Sequence, residues 1–148
     1  MTDQFPDSLL IVEDSDDDFD ALHRLMQRLP VENPIYRCTD GDEALDFLSR
    51  SGVYAAADTP RPSVILLDLN LPGTDGREVL AHLKRDETLR EIPVVVLTTS
   101  SNPIDIEYCY QQGANGYLIK PMNIPEFQEL VRSFVDFWLK TNTAPQIA

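Results

Sequence analysis

Five short apolar runs punctuate the chain, and a helical period fills each interval between them. SLLIV (8–12), SVILL (63–67) and IPVVVL (92–97) are almost continuously apolar and branched, the pattern of strands buried on both faces. PIYRC (34–38) and GYLI (116–119) are shorter companions. After the first run, Phe19, Leu22, Met26 and Leu29 recur at helical spacing, and Val79, Leu80 and Leu83 do so after the third. GDEALDFLSRSG (41–52) predicts a helix stopped by Gly52. NPIDIEYCYQQG predicts one that starts at Asn102 and Pro103 and stops at Gly113. NIPEFQELVRSFVDFWLK (123–140) predicts the longest and last helix.

Strand and helix thus alternate five times. That order predicts an α/β fold, a doubly wound parallel sheet of (βα)5 type with flavodoxin-like strand order 2-1-3-4-5. The connection VYAAADTPRP (53–62) is longer than most, and only TNTAPQIA (141–148) reads as a tail. The 148 residues form one domain, with a core from about 8 to 140.

Charge narrows the range of partners. A formal net charge of −13 argues against nucleic acid, whose phosphates need clustered Lys and Arg. No apolar run reaches the roughly 20 residues of a membrane helix, and MTDQFPDS carries no export signal. Cys38 and Cys109 fit no metal or redox spacing and read as reduced, structural thiols of a cytoplasmic protein.

Ligands of open parallel sheets sit at the carboxyl ends of strands, beside the switch point. Those ends here carry Glu13–Asp14, Asp68, Thr98–Thr99 and Lys120–Pro121. Any one of them is an ordinary solvated strand end. Together they place three carboxylates, hydroxyls and an ammonium on one patch. Carboxylates so close repel one another and call for a divalent cation; all-oxygen donors in small number suit Mg²⁺.

With the acidic pair ED, the block LLDLNLPGTDG, VVLTTS and YLIKP in order and at matching spacing, the chain resembles the receiver domain of two-component response regulators. The resemblance runs from Leu9 to about Lys140. It implies that Asp68 accepts a phosphoryl group from a histidine kinase, in a Mg²⁺-dependent reaction. Glu13, Asp14, Asp68 and the Asn70 backbone carbonyl would hold the ion. Lys120 would pair with Asp68 and then with the phosphoryl group; Thr98 and Tyr117 would form the switch. Asn70 and Ser100 occupy positions that tune water's attack on the phosphoaspartate. Such a protein is a phosphoacceptor signalling protein, with self-phosphorylation and slow self-dephosphorylation as its only chemistry. FVDFWLK and the long VYAAADTPRP connection further resemble the regulators that partner cyanobacterial phytochromes.

No output domain follows the receiver-like region, so the signal should pass by protein contact. On a wheel at 100° per residue, Phe127, Leu130, Val131, Phe134, Val135, Phe137, Trp138 and Leu139 span an arc of roughly 200°. One sheet face hides about half of such an arc. Val135, Phe137 and Leu139 are therefore expected at a homodimer interface. Three rivals remain. A phosphatase with an aspartyl nucleophile would show Asp-x-Asp on its first strand. A flavin module would need a phosphate loop where EDSDDD stands. A receiver-like scaffold that is never phosphorylated would have no need of the full residue set.

Overall fold

The computed structural model describes residues 7–56 and 59–146. Five parallel strands, β1 (Leu9–Val12), β2 (Ile35–Cys38), β3 (Val64–Leu67), β4 (Val94–Thr98) and β5 (Gly116–Ile119), form one sheet in the expected order β2-β1-β3-β4-β5. The chain crosses from β2 back past β1, so β1 and β3 lie side by side where the winding reverses. Their register sets Val12 opposite Leu67. Glu13 and Asp68, the next residue on each strand, therefore leave the sheet at one level.

Alternation along the strands feeds two cores. Leu10, Val12, Ile65, Leu67, Val94 and Val96 pack against α2 (Gly41–Ser49), α3 (Gly76–Arg85) and α4 (Pro103–Gln111). Leu9, Ile11, Val64, Leu66, Val95 and Leu97 meet Leu22 and Met26 of α1 (Asp16–Gln27) and Val131 and Phe134 of α5 (Ile124–Phe134). Helices thus cover both faces, which explains why the central runs read as uninterrupted apolar sequence. Each of the five α-helices among the described residues is capped by a short polar side chain: Ser15, Asp40, Asp75, Asn102 and Asn123 each accept a backbone N–H of the first turn. Such a cap is typically worth about 1 kcal/mol.

Three expectations need correction. Helix α2 stops at Arg50, which itself turns left-handed (φ 56°), two residues before Gly52; Ser51 then donates to the Asp46 carbonyl at 2.9 Å. A single 3₁₀ turn (Gly52–Tyr54) opens the long connection, of which residues 57 and 58 lie outside the described residues. The last helix is not uniform either. After Phe134 it widens into a π-helical segment, Val135–Thr141, closed by the Asn142 N–H on the Phe137 carbonyl at 2.6 Å. A wheel drawn at 100° per residue fails there, because each residue of the wider coil turns less.

Val135, one α-helical turn after Val131, shares the inward face of Val131 and Phe134 and is fully buried in its own chain's core, so it cannot meet a second chain. Trp138 and Leu139 also fold back onto that core, half-buried. Phe137, 48% exposed, is the outward residue of the three assigned to an interface. No helix among the described residues is long and apolar enough to cross a membrane.

Candidate functional site

Each strand end delivers one piece of the site. Glu13 ends β1 and is buried, while Asp14, one residue on, is exposed. Asp68 ends β3 and is buried at the sheet's mouth. One carboxylate oxygen from each of the three lies within 4.8 Å of the others. From β5, Lys120 reaches across the mouth, its Nζ 2.7 Å from Glu13 Oε1 and 3.3 Å from Asp68 Oδ2. The same ammonium meets Asp18 Oδ2 at 3.1 Å.

Asp18 is a member of the site that the sequence motifs do not mark. It follows Asp14 by one turn on the rim of α1, and that spacing is the only signal the sequence offers.

The loop after β3 is fixed by close packing. Gly76 donates its N–H to the Leu69 carbonyl at 2.9 Å, and a Cβ on Gly76 would stand 2.2 Å from the Asp68 carbonyl oxygen. Only glycine lets α3 start so close beneath Asp68. The Asn70 N–H turns toward Asp68 Oδ1 at 3.4 Å.

One ammonium cannot neutralise this many carboxylates. Burial, against the opposing hydrogen bond from Lys120 and with the Asp68 charge behind it, pushes the Glu13 carboxyl up to about 7. Burial alone would lower Lys120, but the Glu13 hydrogen bond and the Asp68 charge outweigh it and hold the ammonium above its ordinary range. The result is a cluster short of positive charge, built from oxygen donors. That donor set fits a hard divalent cation, with Asp14 outside the Lys120 contacts and open to solvent.

Thr98 is fully buried at the end of β4, and its carbonyl accepts the Lys120 N–H at 2.7 Å. The Ser100 N–H approaches Thr98 Oγ1 at 3.4 Å. Tyr117, on β5, donates its hydroxyl to the Ser100 carbonyl at 2.9 Å, with burial raising its pKa. The Ser100 hydroxyl is committed to the start of α4. It donates to Asp105 Oδ2 at 2.6 Å, and Asp105 takes Arg77 Nε at 2.9 Å. Arg77 also grips Asp75, the cap of α3, at 3.1 Å. Its hydrogen bond holds the Asp105 carboxyl below the usual carboxylate range. Thr98, Tyr117 and the start of α4 are therefore tied into one loop.

A flavodoxin-like sheet with an acidic patch, a buried hydroxyl and a bridging lysine at its switch point belongs to the receiver class of signalling domains. The chain is a member of the response regulator receiver domain family, whose model matches residues 9–132. It is 41% identical over 140 residues to response regulator Rcp1 of Synechocystis sp. strain PCC 6803, covering 95% of this chain and 94% of that protein. The crystal structure of the Mn²⁺-bound form of response regulator Rcp1 matches with a TM-score of 0.90, covering 95% of this chain and 100% of the other at 41% identity. The phosphorylated cyanobacterial phytochrome response regulator RcpA matches with a TM-score of 0.88, also at 41% identity, covering 95% and 99%.

Proposed function

We propose that this chain is the phosphoacceptor of a two-component phosphorelay, with Asp68 as the residue phosphorylated by a sensor histidine kinase. The observation that carries the reading is the convergence of Glu13, Asp14 and Asp68 within 4.8 Å, bridged by Lys120 at 3.3 Å from Asp68.

A carboxylate is already anionic at neutral pH, so Asp68 attacks without a general base. One Asp68 oxygen forms a bond to phosphorus as the phosphorus–nitrogen bond to the kinase histidine breaks, and the electron pair leaves with the imidazole. Glu13, Asp14, Asp68 and the Asn70 backbone carbonyl would hold Mg²⁺, which supplies charge neutralisation on the phosphoryl oxygens when bound. Lys120 adds a second positive charge from the end of β5. It exchanges a carboxylate oxygen of Asp68 for a phosphoryl oxygen.

Thr98 then turns its hydroxyl to the phosphoryl group. Ser100 follows on the same strand end, and Tyr117 follows Ser100 through the 2.9 Å hydrogen bond. The change thereby reaches the surface of β5 and α5.

RcpA's description as a cyanobacterial phytochrome response regulator supports a phytochrome-type kinase as the donor. The Mn²⁺-bound form of Rcp1 supports a divalent cation, which we assign as Mg²⁺. We place the protein with its kinase in the cytoplasm, acting by protein contact. We also propose a homodimer that uses Phe137 and the outer part of Leu139.

The phosphorylation site is tested by intact mass after incubation with Mg²⁺ and acetyl phosphate. One added phosphoryl group that Asp68→Asn abolishes is the expected result. An adduct that survives in Asp68→Asn, on Asp14 or on a hydroxyl, overturns the assignment. No addition at all favours a receiver-like scaffold. Release of inorganic phosphate from small phosphomonoesters favours an aspartyl phosphatase.

A further inference from the structure

The edge strand β2 carries an arginine where the core would take an apolar side chain. Arg37 pairs in register with Ile11, and parallel partners point to the same side of a sheet. Arg37 therefore rises on the α1 face, beside the acidic end of β1. Its Nε and Nη2 both donate to the Glu13 backbone carbonyl, at 3.1 and 2.9 Å. Its Nη1 meets Asp16 Oδ1 at 2.9 Å. The guanidinium lies over the Phe19 ring, 4.5 Å from the centroid, and Phe19 in turn stacks on His23. The arginine side chain is only 20% exposed, although Asp16 is 83% exposed.

The carbonyl it holds matters more than the ion pair. The Glu13 N–H still bonds to the Cys38 carbonyl at 3.0 Å, as the last rung of the strand ladder. Beyond it the strand ends, and the fork of Arg37 takes the carbonyl that follows. That carbonyl shares a rigid peptide plane with the Asp14 nitrogen. Fixing its direction orients both the Glu13 and the Asp14 side chains.

We infer that Arg37 is a positioning residue for the acidic pair: by clamping the Glu13 carbonyl it sets the geometry in which Glu13 and Asp14 hold the cation. A planar fork makes two bonds to one oxygen and stacks on an aromatic face; a lysine ammonium reproduces neither.

The alternative role, a charge that merely dilutes the acidity of the patch, has the opposite sign. Removing a nearby positive charge strengthens attraction for a divalent cation. Removing a clamp weakens binding, since groups that orient metal ligands typically contribute about 10- to 100-fold in affinity.

The inference rests on the metal-dependent phosphoacceptor reading, and the test separates the two. Mn²⁺ binding is measured on the full chain by titration calorimetry for wild type, Arg37→Lys and Arg37→Gln, with folding checked by circular dichroism. Phosphorylation by acetyl phosphate is followed across Mg²⁺ concentration. Both variants should bind Mn²⁺ roughly 10-fold more weakly or worse. Both should need correspondingly more Mg²⁺ for half-maximal phosphorylation. An Arg37→Gln protein that binds as tightly as wild type or tighter overturns the clamp, as does an Arg37→Lys protein with unchanged affinity. If Arg37→Gln does not fold, Arg37→Lys decides alone, because it keeps the charge and loses only the fork. A wild type that accepts no phosphoryl group overturns the phosphoacceptor reading, and the Mn²⁺ titrations still decide the role of Arg37.

Discussion

The cation-free protein should lose stability as the pH rises from 5 to 8, and Glu13 should be the cause. In the unfolded chain this carboxyl ionises near its ordinary 4.5, whereas burial in the folded site delays ionisation to about 7. Between those values the unfolded chain has given up a proton that the folded chain keeps. The stabilising contribution is therefore full below pH 4.5 and gone once the pH has passed 7. Delaying ionisation by one pH step of ten in proton activity corresponds to about 1.36 kcal/mol, which makes the loss on the order of 3 kcal/mol. That is a large share of the roughly 5–15 kcal/mol that holds a typical domain together.

A divalent cation reverses the loss, because it binds the folded site with Glu13 ionised and returns stability through its own affinity. The measurement is urea unfolding at pH 5 to 8 in excess chelator, followed by the fluorescence of the single tryptophan, Trp138. Wild type is compared with Glu13→Gln, which keeps the shape of the side chain and removes its titration. The slope between pH 5 and 8 should flatten in the variant, and added Mg²⁺ should flatten it in the wild type. A Glu13→Gln protein with the wild-type slope would refute the reasoning.

Other consequences concern the lysine and the last helix. Lys120→Ala should still take a phosphoryl group, since the cation neutralises charge, but the phosphorylation-linked shift of Tyr117 resonances should shrink; an unchanged shift would exclude a coupling role. Val135→Ala, which empties part of a fully buried site, should cost about 1–3 kcal/mol in denaturant unfolding without altering self-association. Phe137→Asp should do the reverse, folding normally while sedimentation reports weaker dimerisation; a wild type that stays monomeric at high micromolar concentration would exclude the dimer.

The local rules of the chain carried most of the fold. Branched apolar runs of strand length, helical periods between them and a Ser, Asp or Asn before each helix are properties of neighbouring residues. They determined the five units and their parallel winding, for which the observed order 2-1-3-4-5 was the leading topology. Because a parallel sheet gathers its carboxyl ends on one side, those same rules also placed Glu13, Asp14, Asp68, Thr98 and Lys120 at a common rim before any distance was known. Tertiary structure decided what depends on partners distant in the chain. Lys120 pairs with Asp18 as well as with Glu13 and Asp68, and Arg37 crosses from β2 to the Glu13 carbonyl. The second contact leaves no trace in local spacing and the first only the one-turn step from Asp14 to Asp18, since the sheet brings those residues together. The course of the chain after Val135, which folds Trp138 and Leu139 back onto the core, has the same origin. A helical wheel assumes constant pitch, and packing against α1 and the sheet is satisfied here by a wider coil that no local propensity specifies.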